Sequence, residues 1–436
     1  MLDYLLANGF AYINGRYQKV NIGVNGERIS YIGKGTPAAK KVVDVHHNRI
    51  LPGFIDPHVH FALYCGTITS RDDFYYGSKT AAYGGVTTIV DFLDPSRNAK
   101  ELEETYSRRL VEAKNCNIDY HFHACIREPN GDLEEYVLKM KDLGINTVKL
   151  FTTYSETHRR TDDKDIKKLL KLSRKYKFLV CAHIERDSMI KHDKNLTYRD
   201  LPFARSSAAE TMEAMKLCEM AVKTKGKLYM VHCSSGHTLE TIVTTYGKYI
   251  GKYIFIESCP QYFVFNKDVL KRDDGYLYTF APPLRSESER KKLCKYFDYL
   301  SSLGTDHCSF NKKDKESHPP LQGHPLGVGG IETSFLTMYE MFGDKVIEKM
   351  CRNTAKIQRF KYKNGIKLKN YADLVIMSSD PQVVDKPHGA ADYSIYEGMH
   401  LSNKIVSTIS RGKFIVMNGK FYPRHGHLVK CEMKRL

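Results

Sequence analysis

The chain has 436 residues, of which 42% are hydrophobic and 27% charged, and it carries a net charge of +17. That is the balance of a soluble globular protein too long for one small core. No run of 18 apolar residues occurs, so no membrane helix is expected, and Met1-Leu2-Asp3-Tyr4 does not open a secretory leader. The basic residues are spread out, as in Lys164–Lys177 and Lys291–Lys295, at spacings that suit outer faces of helices. They read as a solvated surface and exclude a dense nucleic-acid-binding tract.

In chain order, residues 4–50 hold short alternating segments: Phe10–Gly15, Arg28–Gly33 and Lys41–Val45, separated by Gly and Asn. They predict antiparallel β structure with tight turns. From residue 51 the rhythm changes. Apolar runs that read as strands lie near 51–61, 86–94, 119–126, 147–151, 178–184, 227–234, 253–260 and 302–308. Amphipathic stretches at 98–115, 132–143, 162–176 and 207–225 alternate with them. This alternation predicts the α/β class and a parallel (β/α)8 TIM barrel over 51–362. Asn311–His324 reads as a long loop after the eighth strand. Beyond residue 362 the β rhythm returns at Ala372–Met377, Ile405–Gly412 and Phe414–Lys420. Residues 1–50 and 363–436 are expected to pair into one small β-sandwich domain beside the barrel. The eleven cysteines lie scattered, several in apolar runs such as Val180-Cys181-Ala182. They predict reduced, packed thiols and a cytoplasmic protein.

Chemistry enters at Leu51-Pro52-Gly53-Phe54-Ile55-Asp56-Pro57-His58-Val59-His60-Phe61. On a strand, His58 and His60 share a face. Either one ring packs in a core while the other is solvated, or the pair holds a metal ion. Barrel enzymes place their sites at the carboxyl ends of their strands. Four expected strands carry Lys149, His183, His232 and Asp306 near those ends, which favours the metal. Burial lowers the pKa of a lysine such as Lys149. The neutral amine can then take up carbon dioxide, and the resulting carbamate has two oxygens able to bridge two ions. The competing reading is a lysine that snorkels or pairs with a carboxylate.

At this point the chain resembles the amidohydrolase superfamily, and within it the dihydropyrimidinase/hydantoinase family. The resemblance runs over nearly the whole length. It rests on Gly53–His60, on Asp72-Asp73-Phe74 with Gly84-Gly85-Val86-Thr87-Thr88, and on Val148-Lys149-Leu150-Phe151-Thr152-Thr153-Tyr154. It continues through Glu257–Tyr262, Pro282–Arg285, Thr305–Phe310, Asn353–Lys356 and Ala391–Gly398. The resemblance implies two zinc ions or other divalent ions bridged by carboxylated Lys149 (N6-carboxylysine) and a hydroxide. His58, His60 and Asp306 would hold the more buried ion, and His183 and His232 the other. Asp306 would carry the proton to the leaving nitrogen, and Tyr154 would donate to the oxyanion. Two positions depart from the family. Ala281 stands where Ser is frequent, and Leu326 where Asn is frequent. The family binds its ring there largely through backbone groups, so the departures bear on ring preference. The resemblance also implies a homotetramer or homodimer, with the end of the chain as an oligomerisation tail, and substituent-binding loops at 61–71 and 152–160.

Other signals carry less. His121 and His123 form a second His-x-His, expected to pack or to support ligands from behind. His46 and His47 are expected in a turn. Gly327–Gly330 lacks the context of a dinucleotide loop, and no Gly-x-Ser-x-Gly elbow occurs. The expected function is therefore hydrolysis of a small cyclic amide, a hydantoin or a 5,6-dihydropyrimidine, to an N-carbamoyl amino acid. An allantoinase or other cyclic-ureide hydrolase is the neighbouring alternative. A non-catalytic scaffold is the alternative of a different class.

Overall fold

The computed structural model describes residues 1–66 and 68–431. Seven short strands come first: β1 (Tyr4–Ala7), β2 (Phe10–Ile13), β3 (Arg16–Lys19), β4 (Asn21–Asn25), β5 (Arg28–Gly33), β6 (Val42–Asp44) and β7 (Arg49–Pro52). The barrel strands follow: β8 (Phe54–Val59), β9 (Val86–Phe92), β10 (Asp119–Cys125), β11 (Thr147–Phe151), β12 (Leu179–His183), β13 (Leu228–Met230), β14 (Ile254–Ser258) and β15 (Ser302–Leu303). Six more close the chain: β16 (Leu374–Ser378), β17 (Gln382–Val383), β18 (His400–Leu401), β19 (Lys404–Ser410), β20 (Lys413–Met417) and β21 (Lys420–Phe421).

The eight barrel strands pair in sequence order, all in parallel. Past the end of β15 the chain closes the ring. Asp306 N–H donates to His58 O at 2.9 Å and His60 N–H to His307 O at 2.8 Å. The Asp56 carboxylate ties the same seam, accepting from Thr305 Oγ1 at 2.6 Å. This is the (β/α)8 barrel that the alternation of apolar runs and helical patterns implied. Helices Ala99–Glu112, Leu133–Asp142, Asp163–Tyr176 and Ser207–Thr224 turn apolar faces such as Ile166, Leu169 and Leu170 onto the strands.

Beside the barrel lie two sheets, β5-β4-β1-β6 and β21-β20-β19-β16-β7-β2-β3. Leu6, Ile22, Val24, Ile29, Ile50, Leu374, Ile376 and Ile409 pack in one cluster between them, which makes a β-sandwich from both ends of the chain.

Three expectations need correction. The amino-terminal segment is not purely antiparallel: β1 runs parallel to β6, and β2 parallel to β7. Hairpin turns fix direction only between consecutive strands, and the sandwich core pairs the others. Leu51 and Pro52 belong to the sandwich sheet, where β7 pairs with β16; the barrel strand starts at Phe54. The segment Asn311–His324 is not all loop, because Lys312–Glu316 forms a short helix capped by Asn311.

The chain end after β21 returns under the barrel, with Tyr120 N–H donating to His427 O and Val429 N–H to Tyr120 O. Helix Arg352–Gln358 contributes Ala355 and Ile357 to the floor of the barrel interior, against Ile55 and Val90 on one side and Leu179 and Cys181 on the other. Residues 432–436, the last of the expected tail, lie outside the described residues. Among the described residues, no helix is long and apolar enough to cross a membrane.

Candidate metal centre

At the carboxyl ends of the strands, His58 and His60 leave β8 side by side on one face, with ring centroids 5.2 Å apart. Asp306 follows β15 and lies 3.1 Å by Oδ1 from the Nε2 atoms of both rings. The ligand atoms of these three residues lie within 4.8 Å of one another.

His58 Nδ1 is 2.7 Å from Glu257 Oε1. Read as a donor there, it presents a bare Nε2 toward Asp306. That buried Nε2 makes no hydrogen bond. Burial disfavours a charged His58 ring, but the carboxylates of Asp306 and Glu257 outweigh it and push its pKa up to about 9. The site therefore favours positive charge at this point. Asp306 is held well below the ordinary carboxylate range: burial opposes this, and the His58 and His60 rings overcome it. His60, by contrast, is pulled down to about 4 by burial, which Asp306 offsets only in part. A neutral His60, an ionised Asp306 and a His58 ring whose proton a cation would replace form a donor set that fits a divalent ion.

A second histidine pair faces the first. His183 at the end of β12 and His232 just past β13 approach at 3.0 Å, Nδ1 to Nε2. The His232 ring lies 5.3 Å from that of His58. Glu185 accepts from His183 Nε2 at 2.7 Å and from Arg205 Nε at 3.0 Å. It therefore orients His183 as Glu257 orients His58. Burial lowers the pKa of His183 to about 4 and that of His232 well below its ordinary value, so both are neutral, as ligands must be.

Lys149 on β11 is buried. Its Nζ has no hydrogen bond or carboxylate partner among the described residues; it lies 4.9 Å and 5.4 Å from the rings of Phe92 and Phe151. Burial lowers its pKa.

A cavity of about 730 Å³ opens above these groups. His60, Lys149, His183, His232, Asp306, Tyr154, Ala281 and Leu326 all line it. Of the site residues expected from the sequence, His58 alone is absent from this lining. Tyr154, His232 and Asp306 adopt left-handed backbone at φ +70°, +42° and +54°. Such conformations cost on the order of 1 kcal/mol each in a non-glycine residue and persist where surrounding structure enforces them.

His121 and His123 are not ligands here. His123 is bonded to Thr147 Oγ1 at 2.6 Å and Pro57 O at 2.8 Å. His121 is bonded to Val429 O at 2.8 Å. His46 and His47 occupy an exposed turn. Sequence reading assigned no role to Glu185 and Glu257. A signal did exist for Glu257: a charged residue inside the apolar run of β14, the same anomaly that singled out Lys149.

A barrel with a divalent-metal site at the carboxyl ends of its strands defines the class, a metal-dependent hydrolase. The Amidohydrolase family profile matches residues 49–415, and the chain belongs to that family. D-hydantoinase of Geobacillus stearothermophilus is 28% identical over 459 residues, spanning 98% of this chain and 96% of that protein. Among solved structures, a dihydropyrimidinase from Brevibacillus agri matches with a TM-score of 0.93 at 25% identity, covering 99% of each chain. A D-hydantoinase (dihydropyrimidinase) from a Thermus species matches with a TM-score of 0.93 at 26% identity, also over 99% of each chain.

Proposed function

We propose that this protein is a binuclear-metal cyclic amidohydrolase that opens a hydantoin or 5,6-dihydropyrimidine ring to an N-carbamoyl amino acid. The observation that carries this reading is the pair of histidine sets facing each other beside a buried lysine that has no carboxylate partner among the described residues. The similar D-hydantoinases and dihydropyrimidinase support the substrate class.

His58, His60 and Asp306 would hold one ion and His183 and His232 the other. In its neutral form, which burial favours, the Lys149 amine would add carbon dioxide, forming the N–C bond and releasing one proton. The carbamate answers both the missing counter-ion and the need for a bridge. When bound, two divalent ions, zinc by family habit, supply Lewis acidity that activates water and polarises the amide carbonyl. Asp306 accepts the proton of the attacking water and delivers it to the ring nitrogen as the C–N bond breaks. The Tyr154 hydroxyl stays protonated, because burial raises its pKa to about 12. It donates to the carbonyl oxygen as that oxygen becomes negative. Backbone groups at Ala281 and Leu326 hold the ring edge. A homotetramer or homodimer in the cytoplasm fits this reading, and the eleven free cysteines suit a reducing compartment.

The test is a hydrolysis screen on zinc-loaded protein with dihydrouracil, 5-substituted hydantoins, allantoin and dihydroorotate. Opening of dihydrouracil or a hydantoin is the expected result. Opening of allantoin or dihydroorotate alone would overturn the substrate assignment, and a protein that takes up no zinc would overturn the catalytic reading. Lys149→Ala is expected to lose metal and activity together, with short carboxylic acids restoring part of both. Full activity in that variant would remove the carbamate bridge.

A further inference from the structure

The loop after β11 is held rigidly. Tyr154 and His158 both take left-handed backbone, at φ +70° and +56°, around a single helical turn, Ser155–Thr157. Arg159 N–H returns to Tyr154 O at 3.1 Å, and Thr161 N–H to Phe151 O at 2.8 Å. Ser155 Oγ is anchored on Asp187 Oδ2 at 2.6 Å. The turn therefore fixes Arg159 beside Tyr154, on the wall of the same cavity.

The other cations of that wall are already engaged. Arg109 pairs with Asp91 at 2.8 Å, Arg205 with Glu185, and Lys191 lies 4.1 Å over the ring of Phe203. Lys149 belongs to the metal centre. The Arg159 side chain has no ion pair, hydrogen bond or ring contact among the described residues. Arg159 is half-buried and lines the cavity together with Tyr154, Cys65 and Cys125, which places it on the cavity wall.

Tyr154 and Arg159 share this turn and line one cavity, so a substituent on a ring held at Tyr154 comes within reach of the guanidinium. Phe151 and Leu63 line the approach and suit an alkyl arm. A guanidinium with no partner suits a planar carboxylate at the end of that arm, taken in two parallel hydrogen bonds.

We propose that Arg159 determines substituent specificity, and that the preferred ring carries a carboxylate on a short alkyl arm, giving a doubly acidic N-carbamoyl amino acid as product. This inference rests on the proposed ring-opening activity. The test compares kcat/KM for 5-(2-carboxyethyl)hydantoin and its carboxamide analogue, on metal-loaded wild type, Arg159→Gln and Arg159→Lys. The acid is expected to be favoured by roughly 10- to 100-fold in wild type, the range of one charge-assisted hydrogen-bonded pair. Arg159→Gln is expected to remove the preference, and Arg159→Lys to keep a part of it. In wild type itself the preference is expected to shrink as salt screens the pair, a readout that needs no variant. An acid-to-amide ratio that is the same in wild type and Arg159→Gln, or that is indifferent to salt, would overturn the inference while leaving ring opening intact. If metal-loaded wild type opens neither compound, nor any other hydantoin, the hydantoin reading falls and this inference with it.

Discussion

Tyr154 owes its place to a backbone conformation that a tyrosine rarely adopts, and that strain puts its hydroxyl on the cavity wall near His183, with ring centroids 5.3 Å apart. If the hydroxyl is an oxyanion donor, Tyr154→Phe is expected to lower kcat by roughly 10²–10³ with metal content unchanged. An unaltered kcat would take Tyr154 out of that role. Glu257 acts through His58 and is a positioning residue. Glu257→Gln keeps the shape and removes the charge, so metal affinity is expected to fall about 10- to 100-fold. Competition with a chelator reads this directly, and an unchanged affinity would make Glu257 merely structural. Legibility at this scale was uneven. His58, His60, His183, His232 and Asp306 could be found because each stands near the end of a strand visible in the sequence. Glu185 carried no signal, because a partner behind a ligand obeys no spacing, and Glu257 showed only as a charge inside the apolar run of β14.

The His-x-His of β10 shows how register separates look-alike motifs. Cys125 is the strand partner of Lys149, so His123 lies two residues, one interior layer, below the metal level. His121 lies a further layer down, against Val429 and Phe360. There burial outweighs the hydrogen bond to Val429 O, and its pKa falls to about 4. Its folded pKa is below its unfolded one, so its contribution is complete above about pH 6.5 and is lost as pH drops toward 4. Compared with His121→Phe, wild type is expected to lose up to about 3 kcal/mol across that window. Thermal midpoints of both proteins at pH 7 and pH 5 would show it. A gap that does not move with pH would mean that the ring is not held neutral. The barrel strands were readable from apolar runs, whereas the short strands β1, β3, β4, β17, β18 and β21 were not singled out. The parallel pairings of β1 with β6 and β2 with β7 were not, because a short apolar segment specifies a strand without naming its partner.

Barrel and sandwich are joined by a buried charge cluster. Lys363 Nζ lies 2.7 Å from Asp119 Oδ2 on β10 and 2.6 Å from Asp373 Oδ2 at the start of β16. Arg411 Nε reaches the same Asp119 oxygen at 2.7 Å, and its Nη1 reaches Glu27 at 2.9 Å. Removing one member leaves a carboxylate buried without compensation, which costs more than the intact cluster contributes. Lys363→Met is expected to destabilise the protein by about 3–5 kcal/mol, read as a lowered urea midpoint. A change within about 0.5 kcal/mol, the usual range for a surface site, would show that the cluster does not fasten the two parts.

By itself the sequence determined the barrel, the two-ended sandwich and the ligand types at the strand ends. These follow from periodicity and residue chemistry, which are local properties. Only the tertiary structure decided that the chain passes from the sandwich to the barrel at Gly53, between β7 and β8, and that the glutamates stand behind the histidines. It also decided that Arg159 lines the cavity with no counter-ion among the described residues. Each of these depends on which distant segments meet, and the distance between segments is set by packing, not by spacing along the chain.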